Sequence, residues 1–119
     1  MKRWTREEID ALLAKSDIAV MRAIVRLFEL QTEDEAAATK TKHTNGRGFS
    51  ACDAKAGTRM ARWLLGMNDR NERVYAPKDL RHPRCHKILG QYAHDGTVMD
   101  RARKIALKHS AQLVKIANS

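Results

Sequence analysis

Lys55, Arg59 and Arg62 recur at i, i+4 and i+7. On a helix with 1.5 Å rise per residue this makes a row of cations about 10 Å long on one face, enough to follow a phosphate backbone. Arg101, Lys104 and Lys108 repeat the arrangement at i, i+3 and i+7. A third basic feature is the turn sequence Asn45-Gly46-Arg47-Gly48, which leads through Phe49 to Ser50 and carries Lys42 and Arg47 beside it. A glycine turn that runs into a helix start offers backbone N–H groups and the positive end of the helix dipole to a phosphate. It is not a Walker loop, because the Gly-Lys-Ser/Thr ending is missing. Lys42, Arg47, Lys55, Arg59, Arg62, Arg101, Lys104 and Lys108 are therefore the candidate nucleic-acid contacts. Plainer roles stand beside these: a solvated helix face for each row, and for the turn an N-cap with Phe49 as a packing plug.

Charge placement supports the first reading. The 119-residue chain has 23 Lys and Arg against 14 Asp and Glu, a net charge of +9. Residues 1–40 contain seven basic and eight acidic side chains, so the whole excess falls in residues 41–119. Such an imbalance attracts a polyanion, because bound phosphates release condensed counterions. A membrane surface is the lesser alternative, since a basic amphipathic anchor also needs large apolar residues on its other face. No membrane partner is expected.

Other chemistry is thinly represented. His82 and His86 stand at i, i+4, and Cys85 and Cys52 would complete four zinc ligands. Pro83 interrupts the histidines, however, and the paired spacing of zinc ribbons and fingers is absent. No metal or other cofactor is expected. Cys52 or Cys85 with a histidine would make a nucleophile and base, and Asp53, Asp95 or Asp100 would serve a nuclease, but no nucleophile elbow, paired carboxylates or H-E-x-x-H motif is present. The expectation is a protein that is not an enzyme. The six aromatics, Trp4, Phe28, Phe49, Trp63, Tyr75 and Tyr92, read mostly as core, which argues against a base-stacking platform.

The elements that must position these residues are helical. Thr5 and Glu8 have capping-box spacing for a helix over residues 5–15, with Ile9, Leu12 and Leu13 as a narrow apolar stripe. Ser16-Asp17 starts a second, central helix to about residue 30, and Thr32 with Glu35 caps a short third helix through the alanines. Ser50 with Asp53 opens a helix over 51–67, where Gly57 costs about 1 kcal/mol against alanine unless a neighbouring helix packs closely there. Pro77 and Pro83 begin a turn and a helix ending near residue 94, with Cys85, Ile88, Leu89 and Tyr92 inward. A last helix covers 98–117, with His109 packed on its apolar face. No alternating strand pattern appears. The fold class is all-α, a compact bundle of five or six helices in one domain over residues 1–119, with 1–16 docking as an N-terminal helix and 40–49 forming a glycine-containing loop. The connection over 70–81 is too long for the tight turn of a helix-turn-helix. Two cysteines and the absence of a secretory apolar run after Met1 predict a cytoplasmic protein.

Leu30-Gln31-Thr32 with Asp34-Glu35, then Asn45-Gly46-Arg47-Gly48-Phe49 with Asp53-Ala54, and the ending Gln112-Leu113-Val114-Lys115-Ile116-Ala117-Asn118 form a pattern. It resembles a small domain recurring in phage, plasmid and other mobile-element proteins, with an N-G-x-G-F-x-x-x-D-A core and a basic helix ending K-Y-x-x-Q-L. The resemblance spans about residues 30–119. It departs from the pattern at Lys108-His109-Ser110 and around the helix near Pro77, where this chain is longer. Some members adjoin helicase-like modules, so the resemblance implies mobile-element DNA metabolism without supplying a reaction or a catalytic residue. The expected function is a non-catalytic accessory protein that binds nucleic acid, DNA rather than RNA, through phosphates. The alternative is a protein-interaction module that inhibits or recruits a host enzyme, such as an anti-defence protein acting on a CRISPR or nuclease complex, with Glu33-Asp34-Glu35 as one contact.

Overall fold

Thr5 opens the first helix with a reciprocal pair of hydrogen bonds. Its hydroxyl accepts from the Glu8 N–H at 3.2 Å, and the Glu8 carboxylate accepts from the Thr5 N–H at 3.1 Å. The computed structural model describes residues 3–41, 48–93 and 96–119. Among these the fold is all-α, with helices α1 (Arg6–Lys15), α2 (Asp17–Thr41), α3 (Ala54–Leu65), α4 (Pro83–Leu89), α5 (Val98–Lys108) and α6 (Ser110–Ala117). A single 3-10 turn, Gly90–Tyr92, follows α4.

The centre is α2, which packs on α1, α3 and α5. Val20, Ile24 and Leu27 on α2, Met60 on α3, Cys85 on α4, and Val98 and Ile105 on α5 are fully buried and meet in one apolar cluster. No break occurs near residue 30: α2 continues through the alanine run to Thr41. Thr32 does not cap a separate helix, because its hydroxyl donates to the Phe28 carbonyl one turn back at 2.9 Å. That bond belongs to a helix interior.

Three other boundaries differ from the sequence expectation. The third helix starts at Ala54, since residues 50–53 form a turn closed by the Asp53 N–H on the Ser50 carbonyl at 3.0 Å. Pro83 takes the first position of α4, whereas Pro77 lies in irregular chain. Cys85 and Leu89 point inward from α4 as expected, but Ile88 is exposed. The last helix divides at His109 into α5 and α6. His109 is buried, and its Nε2 accepts from the Ser50 N–H at 2.9 Å, so the ring hydrogen sits on Nδ1 and is donated to the Ile105 carbonyl at 2.7 Å. The helix is thus tied to a distant segment at the point where it divides.

The terminal helix α6 packs against α1. Asn118 accepts from the Trp4 N–H at 2.7 Å and donates to the Trp4 carbonyl at 2.8 Å, while Arg6 donates to the Ser110 hydroxyl at 3.0 Å. At the start of α2, Asp17 is paired with Arg103 of α5, whose Nε also donates to the Leu13 carbonyl at 2.9 Å.

Candidate nucleic-acid interface

Helix α3 buries Ala56, Gly57, Met60 and Ala61, which leaves Lys55 and Arg59 exposed and Arg62 half-buried along its outer flank. Arg59 lies 3.2 Å from the Asp69 carboxylate, and Arg62 Nε donates to the neutral Asn71 Oδ1 at 2.8 Å. Lys55 has no carboxylate partner among the described residues. An ion pair as exposed as Arg59–Asp69 contributes little and exchanges readily for another anion.

The row opens into a groove that the sequence does not announce. Arg59, Arg62 and Trp63 form its α3 wall, Tyr75 and Lys78 come from the connection, and Arg84 comes from α4. Four cations therefore surround it, and Asp69 is the one carboxylate among its described lining residues. Gly66 sets the geometry. It ends α3 in the left-handed region with φ 72°, and its carbonyl accepts from the N–H groups of both Val74 and Tyr75, at 3.1 and 2.9 Å. A Cβ at Gly66 would stand 2.2 Å from the Tyr75 carbonyl oxygen, so only glycine allows the returning chain this close. Trp63 is committed to the wall: its indole N–H donates to the Asp79 carbonyl at 2.9 Å, Lys78 Nζ lies 5.3 Å from its ring centre, and His82 meets it edge-on. Tyr75 is 63% exposed, and Ile88 of α4 is 54% exposed.

The second row is partly occupied from within. Asp53, 3% exposed, accepts from Arg101 at 3.1 Å, from Lys108 at 2.9 Å and from the Ser50 hydroxyl at 2.9 Å. Burial alone would raise its carboxyl pKa, but the hydrogen bonds from Lys108 and Ser50 and the charges of Lys108 and Arg101 outweigh that and hold it below its ordinary value. Lys104 is exposed and has no such partner among the described residues. One carboxylate, Asp53, thus faces two of the three cations of the second row.

The described end of the glycine turn, from Gly48 onward, is occupied in the same way. The Gly48 N–H donates to Gln112 Oε1 at 2.8 Å, the Ser50 N–H to His109, and the Asp53 N–H to the Ser50 carbonyl. These donors serve the fold, so the phosphate seat expected at this helix start is not available on them. Lys42 and Arg47 lie outside the described residues.

Cys52 is exposed beside this cluster, with Lys108 Nζ 3.1 Å and the Ser50 hydroxyl 3.5 Å from its sulfur. The Ser50 and Lys108 contacts lower its thiol pKa, against the opposing effects of burial and the Asp53 charge. The Ser50 hydroxyl has one hydrogen to share between Asp53 and Cys52, whereas the Lys108 ammonium has three, so Lys108 is the steadier of the two contacts that favour the thiolate. Burial pushes the Cys85 thiol up to about 11, and His82 Nδ1 caps α4 by accepting from the Arg84 N–H at 3.1 Å. Among the described residues no group of three or more His, Cys, Asp or Glu is placed to hold a metal ion. No described helix is long and apolar enough to cross a membrane.

No family model, curated protein or solved structure matches this chain.

Proposed function

We propose that the protein is a non-catalytic, cytoplasmic nucleic-acid-binding accessory protein, which holds phosphates on the α3 flank and in the groove into which that flank opens. The mobile-element setting, phage or plasmid, rests on the sequence resemblance of segments 30–35, 45–54 and 112–118 alone. One observation carries the binding reading: Arg59, Arg62, Lys78 and Arg84 surround a groove whose described lining offers only Asp69 in return. Cations in excess over carboxylates at a concave surface raise the local concentration of a polyanion and gain further from counterion release. Fluorescence anisotropy with labelled DNA and RNA oligonucleotides tests it. The double substitution Arg59→Glu with Arg62→Glu should weaken binding at least tenfold at low salt, and absence of binding by the unaltered chain would overturn the reading.

The exposed Val74, Tyr75 and Ile88 favour one second reading, a protein-interaction module that inhibits or recruits a host enzyme. Recovery of a host enzyme on the immobilised protein, with no oligonucleotide binding at low salt, would support it.

A further inference from the structure

The groove holds more than charge. Tyr75 stands at its lip with most of its surface in water, among cations, and its backbone is fixed rather than loose because the Val74 and Tyr75 N–H groups share the Gly66 carbonyl. Ile88 reaches the same groove from α4 and is also exposed. Trp63 is the poorer stacking surface, since it is half-buried, Lys78 lies over its ring, His82 packs against it and its N–H is held by the Asp79 carbonyl.

We infer that this groove takes single-stranded nucleic acid, with an unpaired base stacked on Tyr75 and against Ile88 while Arg59, Arg62 and Arg84 hold the flanking phosphates. The inference rests on the nucleic-acid reading above and narrows it to one substrate class. A duplex keeps its bases stacked inside and presents phosphates to a basic surface, so it leaves an exposed ring and an aliphatic side chain without partners. An unpaired strand covers both, and every base offers a π-face, so the recognition tolerates any sequence. The sequence placed the aromatics mostly in the core and so pointed away from stacking; Tyr75 departs from that because Gly66 draws its backbone across the end of α3 and leaves the ring outside.

The test compares a labelled oligothymidylate single strand with a duplex of equal length, using the full chain at one salt concentration. The single strand should bind about tenfold more tightly. Tyr75→Ala should remove most of that preference while leaving duplex affinity and the salt dependence unchanged, and Tyr75→Phe should restore it. Because Tyr75 is exposed, circular dichroism of the alanine variant should match the unaltered chain. Equal binding of duplex and single strand, or an alanine variant with undiminished single-strand affinity, would overturn the inference and leave the nucleic-acid reading standing. Binding to neither would overturn both.

Discussion

Gln112 holds Gly48 by both polar groups of that residue: its Oε1 accepts from the Gly48 N–H at 2.8 Å, and its Nε2 donates to the Gly48 carbonyl at 2.9 Å. A carboxamide is the side chain that can satisfy a donor and an acceptor together. Gly48 is itself constrained, with φ 92° and with Gln31 so near that a Cβ would lie 2.6 Å from the Gln31 Cβ. Gln112→Ala should therefore leave two buried backbone groups unpaired and destabilise the fold by about 1–3 kcal/mol in urea unfolding. Gln112→Glu should also destabilise, because a carboxylate keeps the bond from the Gly48 N–H but has nothing to donate to the Gly48 carbonyl and sets an anionic oxygen against it.

Gly57 and Phe49 should be coupled. A Cβ at Gly57 would stand 2.5 Å from the Phe49 ring, so Gly57→Ala should destabilise by about 1–3 kcal/mol despite the better helix propensity of alanine. In a Phe49→Ala background the same substitution should become stabilising. A double-mutant cycle by thermal or urea unfolding reads this reversal directly.

Asp53 should make part of the stability depend on acid. Its folded pKa is held below the unfolded value of about 3.9, so its contribution is fully present above about pH 4 and is lost as pH falls through the lowered folded pKa. Asp53→Asn removes the charge facing Arg101 and Lys108 and should cost about 2 kcal/mol at neutral pH. Urea titrations of both proteins should show that gap narrowing as the pH is taken below 4.

The two thiols should differ in kind. Lys108 lowers the pKa of exposed Cys52, while burial raises that of Cys85 to about 11. Iodoacetamide labelling followed by mass spectrometry should modify Cys52 with a pH midpoint below the ordinary thiol value of about 8.5. Lys108→Gln should move that midpoint upward, and Cys85 should stay unmodified until the protein unfolds.

Local rules in the sequence carried the fold class and several helix starts. The capping box of Thr5 and Glu8 forms as spaced, and His109 is buried as its apolar stripe implied. Where the sequence misled, either the continuing helix or a distant partner decided. Thr32 has the residue type of a cap, but helix on both sides gives its hydroxyl the Phe28 carbonyl instead. The division at His109 is tied to the Ser50 N–H, which periodicity in the last helix cannot see. Gly57 did have a close neighbour, although that neighbour is the Phe49 ring rather than another helix.

The candidate site was legible in the same partial way. Helical spacing placed Lys55, Arg59 and Arg62 along one flank, but spacing cannot show that Asp53 reaches Arg101 and Lys108 from another segment. Lys78, Arg84 and Tyr75 belonged to a connection and a short helix with no period to link them to α3. The signal that would have found them is the pairing of Gly66 with the residues around Tyr75, and that is a backbone contact rather than a sequence pattern.

The account depends on a surplus of cations holding phosphates, and the salt dependence of binding measures that most directly. If Lys55, Arg59, Arg62, Lys78 and Arg84 each neutralise one phosphate of a single strand, log affinity should fall linearly with log salt at a slope of about −3.5. Replacing Arg59 and Arg62 with glutamate should make that slope shallower by at least about 1.4. An affinity indifferent to salt, or a slope untouched by the double substitution, would contradict the account.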